Sequence, residues 1–266
     1  MKWNNDNEVV TDLFYLVNKN EEEIFNSCYE NQLPLLLKGP TGCGKSQFVE
    51  FMSYKLGKPL VKIACNEDTN ATDLLGRFII KGGDTIWQDG PVIRAIRSDA
   101  ILYFDEIAEA REDVIVAIHP LTDHRREIYL DKINEVVKAS NNFMVVASFN
   151  PGYQSGLKEM KPSTRQRFVT LSMDYIDEKR EAELIQNISG VEFSKAQALS
   201  RLANRIRRSE NFDLKATVST RILIHAGCLI KSGINVREAA HVAIAETLTD
   251  ERQVVSALID IIDISL

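Results

Sequence analysis

The sequence predicts an α/β fold: a doubly wound, five-stranded parallel sheet that carries two hairpin insertions and is followed by a small all-helical domain. Three observations predict it. Five short apolar runs lie between Pro34 and Leu171, with helix-like stretches between most of them. A glycine-rich loop follows the first run directly, and beyond Tyr175-Ile176-Asp177 the strand-like runs stop. Strands that alternate with helices need crossover connections, and these layer helices onto the faces of a parallel sheet.

The elements follow in order. Glu21–Glu23 is a short acidic run, expected on a solvated helix face. Pro34–Leu37 is the first buried strand, and Lys45–Leu56 the helix after it. Leu60–Cys65 is the second strand. Arg77–Gln88 reads as a hairpin, because Gly82-Gly83-Asp84 supplies the positive φ that a tight turn needs. Ile101–Phe104 is the third strand, with a helix over Asp113–His119 behind it. Arg126–Lys138 is a second hairpin, with Ile128 and Leu130 alternating before Asp131-Lys132 and Val136-Val137 after. Met144–Phe149 and Phe168–Leu171 complete the sheet. A domain boundary is expected near residue 176, giving an α/β domain over 1–176 and a helical lid over 177–266. In the lid, Leu199, Leu202, Ala203 and Ile206 follow the i, i+3, i+4, i+7 spacing of an amphipathic helix. Further helices are expected over Ala216–Lys231, Val236–Leu248 and Asp250–Ile262.

Composition excludes several function classes. Of 266 residues, 44% are hydrophobic and 26% charged, a globular balance rather than a disordered one. The formal charge is -6, from 38 acidic and 32 basic residues, which disfavours a protein built to grip nucleic-acid phosphates. No apolar run reaches membrane-spanning length, and Met1–Val10 has no apolar stretch behind a basic start, so a cytoplasmic protein is expected. Cys28, Cys43, Cys65 and Cys228 form no C-x-x-C pair and read as reduced, mostly buried thiols.

The chemistry sits in three places. Gly39-Pro40-Thr41-Gly42-Cys43-Gly44-Lys45-Ser46 matches G-x-x-x-x-G-K-[ST] between a strand and a helix. Its glycines let backbone N–H groups wrap phosphates at a helix N-terminus. Lys45 is expected on the terminal phosphates and Ser46 on Mg2+; Gln47 follows in the same nucleotide-contacting segment. Cys43 is either a small residue the loop tolerates or a thiol whose alkylation blocks nucleotide binding. The third strand ends in Asp105-Glu106, with Asp105 expected on the metal and Glu106 as base for the attacking water. The fourth ends in Asn150-Pro151, where Asn150 can orient that water or make a turn. Arg165, Arg167 and Arg221 are candidate phosphoryl-stabilising cations.

These residues resemble the AAA+ ATPases, and within them the MoxR group, over nearly the whole chain. Residues 39–46, 105–106, 150, 77–90 and 125–138 match the Walker A loop, the Walker B acids, the sensor asparagine, the insertion in the second helix and the hairpin before sensor 1. The stretches Leu37–Ser46, Cys65–Asp68, Trp87–Pro91, Ile118–Arg126 and Asn150–Gln154 are similar to the CbbQ/NirQ/NorQ branch. The resemblance implies an AAA+ P-loop αβα domain with a helical lid, ATP and Mg2+ as cofactors, and a homo-hexameric ring that remodels a protein target. It implies a von Willebrand A-domain adaptor (CbbO-like or NorD-like), with Rubisco as target and release of an inhibitory sugar phosphate as the reaction served. Activation of nitric oxide reductase, or another metalloenzyme, is the near alternative. By the same resemblance Arg167 is the arginine finger acting in trans, with Arg165 second, and Arg221 is sensor 2.

Two other function classes fit less well. A nucleic-acid motor lacks its basic groove, and a switch without turnover would leave Glu106 and the arginines idle. Phe78 and Trp87 either meet the target from the first hairpin or pack against the sheet. Arg201, Arg205 and Arg208, with Arg207 nearby, read as a solvated helix face or a partner-facing stripe. His119 and His124 lack metal-site spacing and are expected to be structural or inter-subunit residues.

Overall fold

The structure is a computed structural model that describes residues 15–151, 160–209 and 217–266. The expected helix start at Ala216 and the Gly152-Tyr153-Gln154 part of the family-like stretch lie outside the described residues, as does Met1–Val10. The chain divides into two compact units. The first takes its described residues from 15–38, 44–150 and 160–172, and the second from 39–43, 151, 173–209 and 217–266.

The first unit is built on strands β1 (Leu35–Lys38), β2 (Leu60–Ala64), β3 (Gly76–Lys81), β4 (Asp84–Asp89), β5 (Ile101–Asp105), β6 (Glu127–Leu130), β7 (Glu135–Lys138), β8 (Met144–Phe149) and β9 (Val169–Ser172). Five of them form one parallel sheet in the order β2-β5-β8-β1-β9. The order explains their composition. The central strand β8 is buried along its whole length, and β1 and β5 are nearly so. The edge strands β2 and β9 each have one buried residue. Continuous apolar runs are what a sheet covered on both faces requires. Leu36, Leu102, Phe104 and Val145 pack with Val92 and Ile93 in the core of this unit.

Helices α1 (Glu21–Glu30), α2 (Lys45–Leu56), α3 (Ala71–Leu75), α4 (Pro91–Arg97), α5 (Glu112–Ile118) and α6 (Pro162–Arg165) accompany the sheet. The expected helix over Asp113–His119 is α5, and a short 3-10 turn over His119–Leu121 extends it. Both hairpins form, β3 with β4 and β6 with β7. The Gly82-Gly83 turn has φ of 63° and 92°, the left-handed values that only glycine adopts freely in succession.

Glu21 corrects the expectation of a solvated acidic face. It is buried, and its carboxylate accepts from the Tyr15 hydroxyl at 2.7 Å and from the Asn18 amide. A buried carboxylate is tolerated where donors replace its water.

The second unit holds α7 (Glu178–Ser189), α8 (Phe193–Arg207), α9 (Thr220–Lys231), α10 (Val236–Ala240), a π-helical segment (His241–Ala245), α11 (Glu246–Leu248) and α12 (Arg252–Ser265). Leu199, Leu202, Ala203 and Ile206 are buried together on α8, as their spacing requires. Helix α9 starts later than expected, at Thr220, because the Ser219 side chain caps it by accepting from the Ile222 amide. Helix α12 runs past Ile262 to Ser265. Among the cysteines Cys28 and Cys65 are buried, whereas Cys228 is exposed on α9 and Cys43 is half-buried, so the thiols are not mostly buried.

Candidate functional site

Strand β1 leads into the glycine-rich loop and the loop into α2. Gly42 and Gly44 have φ of 71° and 97°. Left-handed glycines are the kind of backbone from which anion-binding nests are built. Within the second unit the loop is tightly fitted. A side chain at Gly42 would stand 2.5 Å from Ser219 Cβ, and the Tyr175 hydroxyl donates to the Thr41 carbonyl at 2.8 Å. Pro40 is buried, whereas Thr41 and Gln47 are exposed. Lys45 is 7% exposed at the start of α2.

The acid pair is built by strand periodicity. Side chains two apart on a strand share a face, so Tyr103 stands beside Asp105 on β5, and Ser148 beside Asn150 at the end of β8. These four, with Ser46 and Glu106, form one hydrogen-bonded group. Asp105 Oδ2 accepts from Ser46 Oγ at 3.0 Å. Asp105 Oδ1 accepts from the Tyr103 hydroxyl at 2.8 Å and from Ser148 Oγ at 2.7 Å. Ser46 Oγ and the Tyr103 hydroxyl are also 3.1 Å apart. Glu106 has a left-handed backbone (φ 56°, ψ 53°), and its amide donates to Ser148 Oγ at 2.8 Å. Its carboxylate accepts from Asn150 Nδ2 at 2.7 Å, which leaves Asn150 Oδ1 buried with no partner.

Burial pushes the Tyr103 hydroxyl well above its ordinary pKa, so it remains a neutral donor. Burial, followed by the charges of Asp105 and Glu106, pushes the Cys65 thiol up to about 12. That thiol is inert at neutral pH.

The arrangement fits a nucleotide with a divalent cation. A hydroxyl and a carboxylate oxygen side by side are a hard donor set of the kind Mg2+ takes. The orphaned Asn150 Oδ1 is a feature that a bound polar ligand would satisfy. Ser46 and Asp105 would hold the cation, and Lys45 with the loop amides would hold phosphates.

Arg165 is exposed at the end of α6. Arg167 is half-buried; its Nη1 lies 3.5 Å from Asp123 Oδ2, and its Nε is buried without a partner. Asp123 also binds Arg125 at 2.7 Å, and that hydrogen bond lowers its pKa to about 2. His119 Nε2 stands 3.2 Å from Thr164 Oγ1, and burial followed by Arg167 lowers its pKa. His124 is exposed. Among the described residues no three His, Cys, Asp or Glu side chains cluster as metal ligands. Arg221 is exposed on the first turn of α9 in the second unit.

The structure thus brings Ser46, Asp105, Glu106 and Asn150 into one group, while on the α6–β9 segment Arg167 contacts Asp123 and Arg165 is exposed. Sequence reasoning missed Tyr103 and Ser148. The available signal was a hydroxyl two residues before each named polar group on an otherwise apolar strand. It also missed Glu181, which pairs with Arg207. On α8, Arg201 is exposed and paired with Glu178, as a solvated face would have it, whereas the Arg207 side chain is only 9% exposed. On the first hairpin Trp87 packs against the core, and Phe78, edge-on to it at 5.3 Å, is 47% exposed.

Residues 34–168 match the AAA domain (dynein-related subfamily), and residues 181–265 match the CbbQ/NirQ/NorQ C-terminal domain. The chain is 47% identical to Protein NorQ of Paracoccus denitrificans, over 93% of this chain and 92% of that one. It is 49% identical to the denitrification regulatory protein NirQ of Pseudomonas aeruginosa, over 94% and 96%. It is 48% identical to Protein CbbQ of Hydrogenophilus thermoluteolus, over 90% and 89%. The chain belongs to the CbbQ/NirQ/NorQ family of AAA+ ATPases. Among solved structures, a putative ATPase of Cytophaga hutchinsonii shares the fold of this CbbQ/NirQ/NorQ-family chain. Its TM-score is 0.51 at 16% identity, covering 91% of this chain and 89% of that one. A Thermotoga maritima RuvB variant gives 0.51 at 15% identity, over 92% and 69%. The family member is therefore an ATP hydrolase with a P-loop α/β fold. No helix among its described residues is long and apolar enough to cross a membrane.

Proposed function

We propose that this ATPase couples hydrolysis to the remodelling of a protein target, as the motor subunit of a cytoplasmic homo-hexameric ring working with a von Willebrand A-domain adaptor. The observation that carries the chemical part is the contact between Asn150 Nδ2 and the Glu106 carboxylate, next to the Ser46–Asp105 pair. ATP with Mg2+, when bound, supplies the phosphoanhydride to be cleaved. Ser46 and Asp105 hold the cation, and Lys45 with the loop Gly39–Ser46 holds the phosphates. Glu106 takes the proton of the attacking water at its carboxylate, and Asn150 fixes the orientation of that carboxylate. Arg167, with Arg165 as second candidate, is the cation offered to a neighbouring subunit, and Arg221 belongs to the lid.

The identities to NorQ, NirQ and CbbQ, 47%, 49% and 48%, are equal for this purpose. Rubisco and nitric oxide reductase therefore stand level as targets, and Rubisco is not favoured on similarity. The test has two arms. The protein, ATP and the matching adaptor are mixed with sugar-phosphate-inhibited Rubisco, or with inactive nitric oxide reductase. Recovery of activity in one arm, lost when Glu106→Gln replaces the wild type, supports the remodelling function and names the target. Failure in both arms while ATP is still hydrolysed removes both of these targets and leaves another metalloenzyme as the one to test. For the site itself, Glu106→Gln is expected to bind ATP with wild-type affinity while turnover falls about 10²- to 10⁴-fold. Wild-type turnover would remove Glu106 from the base role.

A further inference from the structure

Ser148 is fully buried in the central strand of the sheet and touches both acids of the site at once. Its hydroxyl proton goes to Asp105 Oδ1 at 2.7 Å, while its oxygen accepts the Glu106 amide at 2.8 Å. A non-glycine residue in the left-handed region costs about 1–2 kcal/mol, so Glu106 needs an outside contact to stay there. Ser148 supplies one through the amide of the strained residue. On the other side of Asp105, the fully buried Tyr103 donates to the same Oδ1 at 2.8 Å. Oδ1 therefore has two donors, and Oδ2 is left facing Ser46.

We propose that Ser148 is a positioning residue, which, with Tyr103, fixes Asp105 so that Oδ2 is the oxygen offered to the cation, and which pins Glu106 in the backbone conformation that carries its carboxylate to Asn150. The inference rests on the reading of Asp105 and Glu106 given above. It adds two residues to the machinery that no sequence motif marks: Ser148, which reaches both acids, and Tyr103, which touches Asp105 and Ser46. The hydroxyl on β8 acts through both acids, so its loss is felt in turnover rather than in nucleotide affinity.

The experiment compares Ser148→Ala, Ser148→Thr, Tyr103→Phe and Glu106→Gln with the wild-type full chain. It measures turnover against ATP and Mg2+, and amide hydrogen exchange at Glu106 in nucleotide-free protein. Ser148→Ala is expected to lower kcat roughly 10- to 100-fold, the worth of a hydrogen bond to a charged group, with KM for ATP within about threefold. Exchange at the Glu106 amide is expected to accelerate. Ser148→Thr keeps the hydroxyl and restores most of kcat. Tyr103→Phe, an independent check should Ser148→Ala fold poorly, is expected to raise the Mg2+ concentration for half-maximal turnover several-fold while leaving Glu106 exchange unchanged. Wild-type kcat with unchanged Glu106 exchange in Ser148→Ala overturns the proposal. So does a rise in KM alone, or equal loss in the Ala and Thr variants, which would mark a packing defect. Glu106→Gln separates the two levels. Wild-type turnover in that variant overturns both the site reading and this inference, whereas a strongly impaired Glu106→Gln beside an unimpaired Ser148→Ala overturns only the inference.

Discussion

Glu181 and Arg207 meet largely out of water: their side chains are 0% and 9% exposed. The Glu181 carboxylate accepts from Arg207 Nη1 at 3.0 Å and Nη2 at 2.8 Å, from Ser200 Oγ at 2.9 Å and from Thr220 Oγ1 at 2.6 Å. Arg207 Nε donates to the Val218 carbonyl at 2.8 Å, and the guanidinium lies 3.8 Å from the Tyr175 ring centroid. Every polar atom of the pair is thus engaged, the condition under which a buried ion pair is tolerated. Removing one partner strands the other in a dry site. Arg207→Ala is therefore expected to destabilise the helical unit by about 3–5 kcal/mol. Chemical denaturation measures this, and a cost below about 1 kcal/mol would show that the pair is solvated in solution. The same substitution removes the stacking partner of Tyr175, whose hydroxyl donates to Thr41. Loosening of the phosphate loop is expected to accompany the loss of stability.

Among elements, the hairpin β3–β4 shows how far sequence reasoning reaches. Its turn and strands were legible because Gly82-Gly83 punctuates two apolar runs. Which side of it faces the core was not, since apolar residues occupy both faces of the ribbon. Phe78, Ile80 and Ile86 are exposed, while Trp87 packs on the core and lies across Gly76. A side chain at Gly76, where φ is 144°, would stand 2.4 Å from the Trp87 ring. Gly76→Ala is accordingly expected to displace Trp87, and both it and Trp87→Ala to cost about 1–3 kcal/mol of stability. Phe78→Ala is expected to stay within about 0.5 kcal/mol, because half its surface is already in water. Thermal unfolding of the three variants decides this, and an equal loss in Phe78→Ala would place that ring in the core. The inner strands β1, β5 and β8 were legible because strands buried on both faces are apolar nearly throughout, and the edge strands β2 and β9 as short apolar-rich runs. Glu21, Glu181 and Ser148 were not, because polarity in sequence reads as exposure until the partners that replace water are located. Of the site, the loop and the acid pair could be read from fixed spacing. The hydroxyls that orient the acids come from Tyr103 and Ser148, 45 residues apart in number and adjacent only through the parallel pairing of β5 and β8.

For the whole molecule, the proposed ring makes a prediction about Arg167, which it offers to the nucleotide of a neighbouring subunit. Arg167 and Glu106 belong to the same unit of this chain, yet Arg167 is engaged with Asp123, and Glu106 with Asn150. Each lies in its own hydrogen-bonded neighbourhood, which accords with the proposal that Arg167 serves the nucleotide of a neighbouring copy. A head-to-tail ring of identical subunits brings such unlike surfaces together. Complementation tests this directly. Arg167→Ala subunits keep Glu106 but offer no finger, and Glu106→Gln subunits offer a finger but have no base. Each variant alone is expected to bind ATP and hydrolyse almost none of it. Mixed in equal amounts and allowed to exchange subunits, about a quarter of interfaces pair an intact base with an intact finger, so turnover should return to roughly that fraction of wild type. Recovery that depends on total protein concentration would mark assembly as the limiting step. No recovery, from subunits shown to exchange, would place the arginine in the same subunit as the nucleotide it serves. Recovery with Arg165→Ala but not with Arg167→Ala would assign the finger to Arg165 instead.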